Sequence, residues 1–383
     1  MNRIPQFSSV RAALLASVVL FSAEEVWAQG CVASRCPVNM SPGERLLRSV
    51  EGNADHGGEA GIMVTVGYRW LRSDRHFTGT HEEAYRQQEG SEVINDSSYV
   101  DVTLAKAITP RFALQLTVPW SEHDRSSVVW DDPDRAKRTR ILERFHVQSG
   151  GLGDIRAGGT MWVLDPTVHR RGNVLIGLGV DAPTGRKDEK DVHRRLIDNA
   201  NDIVGDDLRN VDQSIQPGDG GWGIPVDVFA YYSLAKTLSV YASGSYLITP
   251  EETNGVITRR SNPFESVMSI ADTFAGRVGF DWLVLPKAGL TVSLGMRAEG
   301  VPAEDLLGGS DGFRRPGVAV SIEPGISWMK NGWAVQLSVP IAVYRERFKS
   351  VADRQWEAAS GVPRHGDAAF ADYLVLGAVT KSF

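Results

Sequence analysis

Arg69, Asp101, Asp154, Arg156, Asp181, Asp227, Arg277, Asp281, Arg297, Glu299 and Glu323 stand on the parity opposite to alternating runs of apolar residues. Guanidinium and carboxylate groups facing one another across a lumen would create a transverse field along a narrow polar path. The same groups, paired, would form a plug that stiffens the wall. Phe229, Tyr231, Tyr241 and Tyr344 share that parity and would either offer aromatic solutes a surface or fill volume. Nucleophilic catalysis would need a serine, a histidine base and an orienting third group. The eight histidines, His56, His76, His81, His123, His146, His169, His193 and His365, fall outside the alternating runs and in no catalytic motif. His76 and His81 in a solvated loop make a poor metal site, so no enzyme, metal or cofactor is expected. Cys31 and Cys36 are candidates for a short-loop disulfide, and haem attachment would need a Cys-x-x-Cys-His run that is absent.

The elements that would carry these groups are segments of about ten residues with one apolar parity, the length and period of a tilted membrane strand. Ile62, Val64, Val66, Tyr68 and Trp70 form the first. Val100 to Ile108 and Phe112 to Trp120 form a hairpin around Thr109-Pro110-Arg111. The pattern continues through 155–163, 174–180, 224–232, 238–246, 270–282, 290–296, 318–328 and 333–341 to Tyr373–Phe383. This predicts an all-β fold: a transmembrane antiparallel up-and-down β-barrel of about twelve strands. Short links at 109–111, 165–173, 234–237, 284–289 and 330–332 alternate with long ones at 71–98, 121–150, 183–220, 249–268, 299–316 and 345–371, as short periplasmic turns and long extracellular loops do. On the apolar parity the charges are Lys106, Asp272 and Lys381, each near a strand end, where a charge costs about 0–1 kcal/mol rather than about 2–4 at the midplane. Trp70, Trp120, Trp222 and Tyr246 are expected at the outer rim; Trp162, Tyr232, Trp282, Trp328, Trp333 and Phe383 at the inner one. Pro324 and Pro340 predict bulges.

Composition agrees. The chain has 383 residues, 42% of them hydrophobic, with a formal charge of -6, which gives no global field for nucleic acid. Past the N-terminus no apolar run is long enough for a spanning helix. Residues 1–28, with Arg3 and Arg11, the apolar Ala12–Phe21 and the small residues of Val26-Trp27-Ala28, read as a secretory signal peptide. Residues 29–59 then form a periplasmic N-terminal segment and 60–383 the barrel, in the bacterial outer membrane. The loop 183–220 alternates Arg186, Lys187, Arg194 and Arg195 with Asp188, Asp191, Asp198, Asp202, Asp206 and Asp207. It is expected to be solvated and to contact lipopolysaccharide, with inward folding over the lumen as the alternative. Segment 131–144, with Arg135, Lys137, Arg138 and Arg140, is a modest anion-attracting cluster.

Five motifs follow in order: Gly151-Leu152-Gly153-Asp154-Ile155, Ala182-Pro183-Thr184-Gly185, Gln216-Pro217-Gly218-Asp219-Gly220, Glu323-Pro324-Gly325 with Ser338-Val339-Pro340, and Leu376-Gly377 leading to Phe383. The set, spanning about residues 60 to 383, resembles the outer-membrane barrel family named for the meta pathway of phenol degradation. Members of that family are described as transporters of small, often aromatic or apolar compounds, so the resemblance implies a channel with a small-molecule solute. The closing strand, ending in Phe383, also resembles the signal read by the barrel-assembly machinery. The second expectation is a structural barrel with a plugged lumen whose loops bind a partner.

Overall fold

Apolar alternation becomes a wall when every strand can pair on both sides. In the computed structural model, which describes residues 61–383, that wall is built and closed. The signal peptide, segment 29–59 and Cys31 and Cys36 lie outside the described residues. In chain order the strands are β1 (Ile62–Thr78), β2 (His81–Glu82), β3 (Ile94–Ala107), β4 (Phe112–Trp130), β5 (Ile141–Leu152), β6 (Ile155–Trp162) and β7 (Gly172–Ala182). Next come β8 (Lys190–Asp198), β9 (Ile203–Asn210), β10 (Ile224–Ala235), β11 (Leu238–Ile248), β12 (Thr253–Ile257) and β13 (Val267–Ser269). The last are β14 (Thr273–Leu285), β15 (Leu290–Val301), β16 (Gly317–Lys330), β17 (Trp333–Ser338), β18 (Ile341–Arg347) and β19 (Ala368–Ser382). β5 and β6 are two halves of one stave, as are β17 and β18, and β2 is a stub on β1. Twelve antiparallel staves therefore close where β1 meets β19, from Met63 opposite Ser382 to Phe77 opposite Ala368. The fold places the protein in the outer membrane.

One parity of each stave points out. Val66, Val102, Leu116, Leu178, Val228, Phe280, Leu294 and Ile326 are all exposed, a surface that only lipid can cover. The turns on the inner side are tight: Asn331 and Gly332 both take positive φ between Lys330 and Trp333, the geometry that matches strand twist in a two-residue hairpin.

The outer half departs from the sequence expectation. β1 has 17 residues and β4 has 19, against the roughly 9–11 that cross a bilayer. Much of what reads as loop at 71–98 and 121–150 is therefore strand standing above the membrane. His76, His81, His123, His146 and His193 consequently lie in strands and not between them. Charged and polar residues obscure the alternation there, because both faces of that extension meet water or protein and neither needs an apolar stripe. The 183–220 loop is likewise no uniform solvated segment. It contains the hairpin β8–β9, and then Val211 and Ile215 bury completely against Val129, Phe145 and Val147. A ten-residue helix, Val351–Ser360, opens on a Ser350–Asp353 capping box in the last outer loop.

Of the two bulges the prolines predict, the one at Pro340 forms, whereas β16 runs through Pro324 in unbroken register with β15. Pro340 separates β17 from β18, and a register shift between Val320 and Ser321 places an extra residue on β18. That shift reverses parity: Tyr344, expected in the lumen, is exposed on the outside, while Arg345 and Arg347 turn inward.

Candidate functional site

Arg69, Asp154, Arg156, Asp181, Asp227, Asp281, Arg297, Glu299, Glu323 and Tyr241 are buried, and Asp101, Arg277 and Tyr231 are half-buried, all on the inner parity of the wall. Among these ionisable residues, seven carboxylates face four arginines. Pairing is local. Arg156 holds Asp181 at 2.9 Å across the β6–β7 register, and Arg69 lies 3.9 Å from Asp101 with its guanidinium 4.4 Å above Tyr99. Arg277 and Arg297 stand directly opposite one another, which would repel if left alone. Each has its own acid: Glu323 takes Arg277 through two 2.9 Å contacts, and Glu299 takes Arg297 at 2.7 and 3.0 Å. Ser338 donates to Glu323 at 2.8 Å, tying the pair to the next stave.

An aromatic sector occupies the inner-end half of the lumen. Phe229, Tyr241 and Leu175 bury together with Trp162 and Tyr231 beside them; the Trp162 and Tyr231 rings meet edge-on at 6.2 Å. Trp162 is thus a lumen residue and not a lipid-interface anchor, because it faces Leu175 across the register while Met161 and Val163 take the outer face. Tyr241 lies along the wall over two glycines, Gly279 directly across the register on β14 and Gly295 beyond it on β15. A Cβ on Gly279 or Gly295 would come within 2.7 or 2.6 Å of its hydroxyl.

The motifs behind the family resemblance converge on two points. Between β5 and β6, Asp154 accepts from the Gly185 amide at 2.9 Å and the Asp219 amide at 3.1 Å. Thr184 donates to the Gly153 carbonyl and accepts from the Ile155 amide, both at 2.9 Å. Gly185 packs backbone to backbone on Gly218, where a Cβ would sit 2.8 Å from Cα. The second point joins Gly325 to Ser338, with the Val339 amide donating to Pro324 at 3.1 Å and Leu376 and Gly377 pairing alongside.

Asp154 therefore anchors the segment that crosses the outer mouth. On that segment, Asp212 takes both amino groups of Arg315 at 2.6 and 2.7 Å, with Arg125 at 3.5 Å and Arg260 at 3.8 Å. Burial opposes its charge, but Arg125 and Arg315 outweigh burial and hold Asp212 well below the usual carboxylate range. The inward alternative holds for the part of this loop that follows β9, where Val211 and Ile215 bury and Asp212 meets Arg315, while the β8–β9 hairpin stays largely exposed or half-buried. In the 131–144 cluster Arg138 lies against Trp130, Lys137 pairs with Asp134 at 3.2 Å and Arg140 with Asp202, the last two on exposed side chains.

The mouth arginines Arg125, Arg260, Arg315, Arg347 and Arg364 were not singled out from sequence. They lie on five separate segments, and the available signal was the predominance of arginine over lysine in the outer half. Among the described residues no cluster could hold a metal ion.

A closed barrel with an apolar outer face and a charged, partly aromatic inner face defines an outer-membrane β-barrel with a polar lumen. No family model and no curated protein matches the sequence. Among solved structures, the chain is similar to the COG4313 outer membrane channel from Pseudomonas putida F1, with TM-score 0.53 and 10% identity, over 86% of this chain and 99% of that one. More distant are the translocator domain of autotransporter NalP from Neisseria meningitidis (TM-score 0.42, 13% identity, 97% and 98% covered) and the P. putida toluene transporter TodX (TM-score 0.40, 8% identity, 84% and 89% covered). The first likeness is one of fold; the other two lie too far away to bear on function.

Proposed function

We propose that this protein is an outer-membrane channel for passive or facilitated passage of small, uncharged aromatic or apolar compounds. The carrying observation is the lumen wall: ion pairs hold its four arginines against the staves, and an aromatic sector built from Trp162, Phe229, Tyr231 and Tyr241 lies beside them. The path would run past Arg69, Asp101, Asp181, Asp227, Arg277, Asp281, Arg297 and Glu323. Asp227 Oδ1, Asp281 Oδ2 and Arg156 Nε and Nη1 are buried without a hydrogen-bond partner among the described residues, as suits a hydrated lumen better than a dry plug. The family resemblance and the fold likeness to an outer membrane channel support the same reading. Contact of the outer loops with lipopolysaccharide, and recognition of the strand ending in Phe383 by the barrel-assembly machinery, belong to the same proposal.

Uptake into proteoliposomes tests it, with phenol compared against glucose and benzoate for the wild type and an Arg277→Ala, Glu323→Ala double variant. Phenol should enter selectively and the variant should alter that preference. No uptake above empty liposomes, with folding confirmed by heat-modifiable migration, would remove the proposal. The tie of Asp212 to three arginines across the mouth favours the second reading, a plugged barrel that works through its outer surface. Such a barrel should stay silent in planar bilayers.

A further inference from the structure

Just inside the outer mouth lies a cavity of about 180 Å³ on which six arginines converge: Arg86, Arg125, Arg260, Arg315, Arg347 and Arg364. Among the described residues, four carboxylates face them. Asp212 binds Arg315 and Arg125, Glu265 binds Arg364 at 3.0 Å, Asp353 lies 3.4 Å from Arg347, and Asp367 lies 2.9 Å from Arg86. Arginine thus exceeds acid by two charges in a confined space. Several of these guanidiniums are also under-bonded. Arg347 is 1% exposed, yet its Nε and Nη1 have no hydrogen-bond partner among the described residues, and neither do the Nε atoms of Arg86 and Arg364, the latter 3.5 Å from Asp353. Arg260 lies 3.8 Å from both Asp212 and Glu265, beyond hydrogen-bond reach, and rests 3.6 Å above the Phe313 ring. Burial pulls Arg347 down to about 10, so it keeps its proton at neutral pH while lacking full compensation. Leaving donors and charge unmatched in such a place is costly, and a planar oxyanion taking two guanidinium forks would match both.

We infer that this cavity binds a small organic carboxylate arriving from outside, with its oxygens held by Arg260, Arg347 and Arg364 and its apolar part against Val93 and Ala368. The volume falls below the roughly 300–1,000 Å³ of pockets for drug-sized ligands, which sets the size class. The lumen wall beneath carries more carboxylates than arginines, so the anion is retained at the mouth instead of being conducted. The inference goes beyond passage of neutral solutes and does not depend on it, since binding is read at equilibrium.

The test is isothermal titration of the full-length protein, folded in uncharged detergent, with sodium benzoate, benzyl alcohol and inorganic phosphate as separate probes. Benzoate should bind saturably at one site, weaken with added salt, and lose at least ten-fold in affinity in Arg260→Gln and in Arg364→Gln, while benzyl alcohol gives no site. Unchanged protease sensitivity of the outer loops controls for folding of each variant. Absence of saturable benzoate binding, equal binding by benzyl alcohol, or unchanged affinity in both folded variants would overturn the inference. Phosphate binding without benzoate binding would overturn the carboxylate assignment. If benzoate binds and phenol uptake fails, the channel proposal falls and the site stands.

Discussion

The membrane band and the crown above it solve opposite problems with the same strands. In the band, lipid covers one face, so a single parity must be apolar and the charges are pushed inward, where each arginine meets an acid on the same or a nearby stave. In the crown both faces lie against water or protein, and order comes from long-range ties such as Asp212 to Arg315 and Arg364 to Glu265. Removing one group from the band is therefore felt along one stave, whereas removing one from the crown is felt across loops far apart in sequence.

The largest effect should follow Arg314→Ala. Arg314 is fully buried and binds Asp305 at 2.6 and 2.7 Å together with Ser269 and the Ile270 carbonyl. Stranding Asp305 should cost about 3–5 kcal/mol. The outer loops should become protease-sensitive while heat-modifiable migration of the barrel persists; loss of both together would show that crown and band are not separable.

Next, Val228→Arg, at the middle of the lipid face, should cost about 2–4 kcal/mol in denaturant unfolding from lipid vesicles. A charge on the inner parity, as in Ser243→Arg, should cost far less, and equal costs would erase the distinction between the faces. Gly279→Val should cost about 1–3 kcal/mol by driving Tyr241 off the wall, and should lower phenol uptake with it.

The smallest effect is that of pH on the mouth. Because its folded-state titration is depressed, Asp212 contributes stability that is present above its unfolded value near 3.8 and is lost only as pH falls through the lower folded value. Amide protection factors over residues 211–216, taken relative to intrinsic exchange at each pH, should accordingly be as large at pH 4.5 as at pH 7. Smaller protection factors at pH 4.5 would show that the arginine tie does not hold the segment.

This division also explains what the sequence made legible. Alternation with period two identified the staves, the inward charges and the closing strand, since lipid enforces that pattern residue by residue. It misassigned Tyr344, because the extra residue beside Val320 and Ser321 reverses parity without a mark in composition, and Trp162, because a tryptophan near a strand end reads as an interface anchor until its register is known. The mouth cluster was illegible for another reason. Arg125, Arg260, Arg315, Arg347 and Arg364 converge only in the folded chain, and no spacing rule relates them. The glycine and proline motifs were visible as motifs, but their purpose, joining Asp154 to Gly185 and Asp219 and Gly325 to Ser338, required coordinates.

The central claim is that solutes pass along the inner face, and cysteine labelling tests it most directly. In a Cys31→Ser, Cys36→Ser background, Ser243→Cys places a thiol on the lumen wall beside Arg277, and Val228→Cys places one on the lipid face. After reaction with a bulky methanethiosulfonate reagent, phenol uptake into proteoliposomes should fall several-fold for the Ser243 variant and stay unchanged for the Val228 variant. Uptake that ignores a labelled lumen thiol, with labelling verified by mass, would contradict the account.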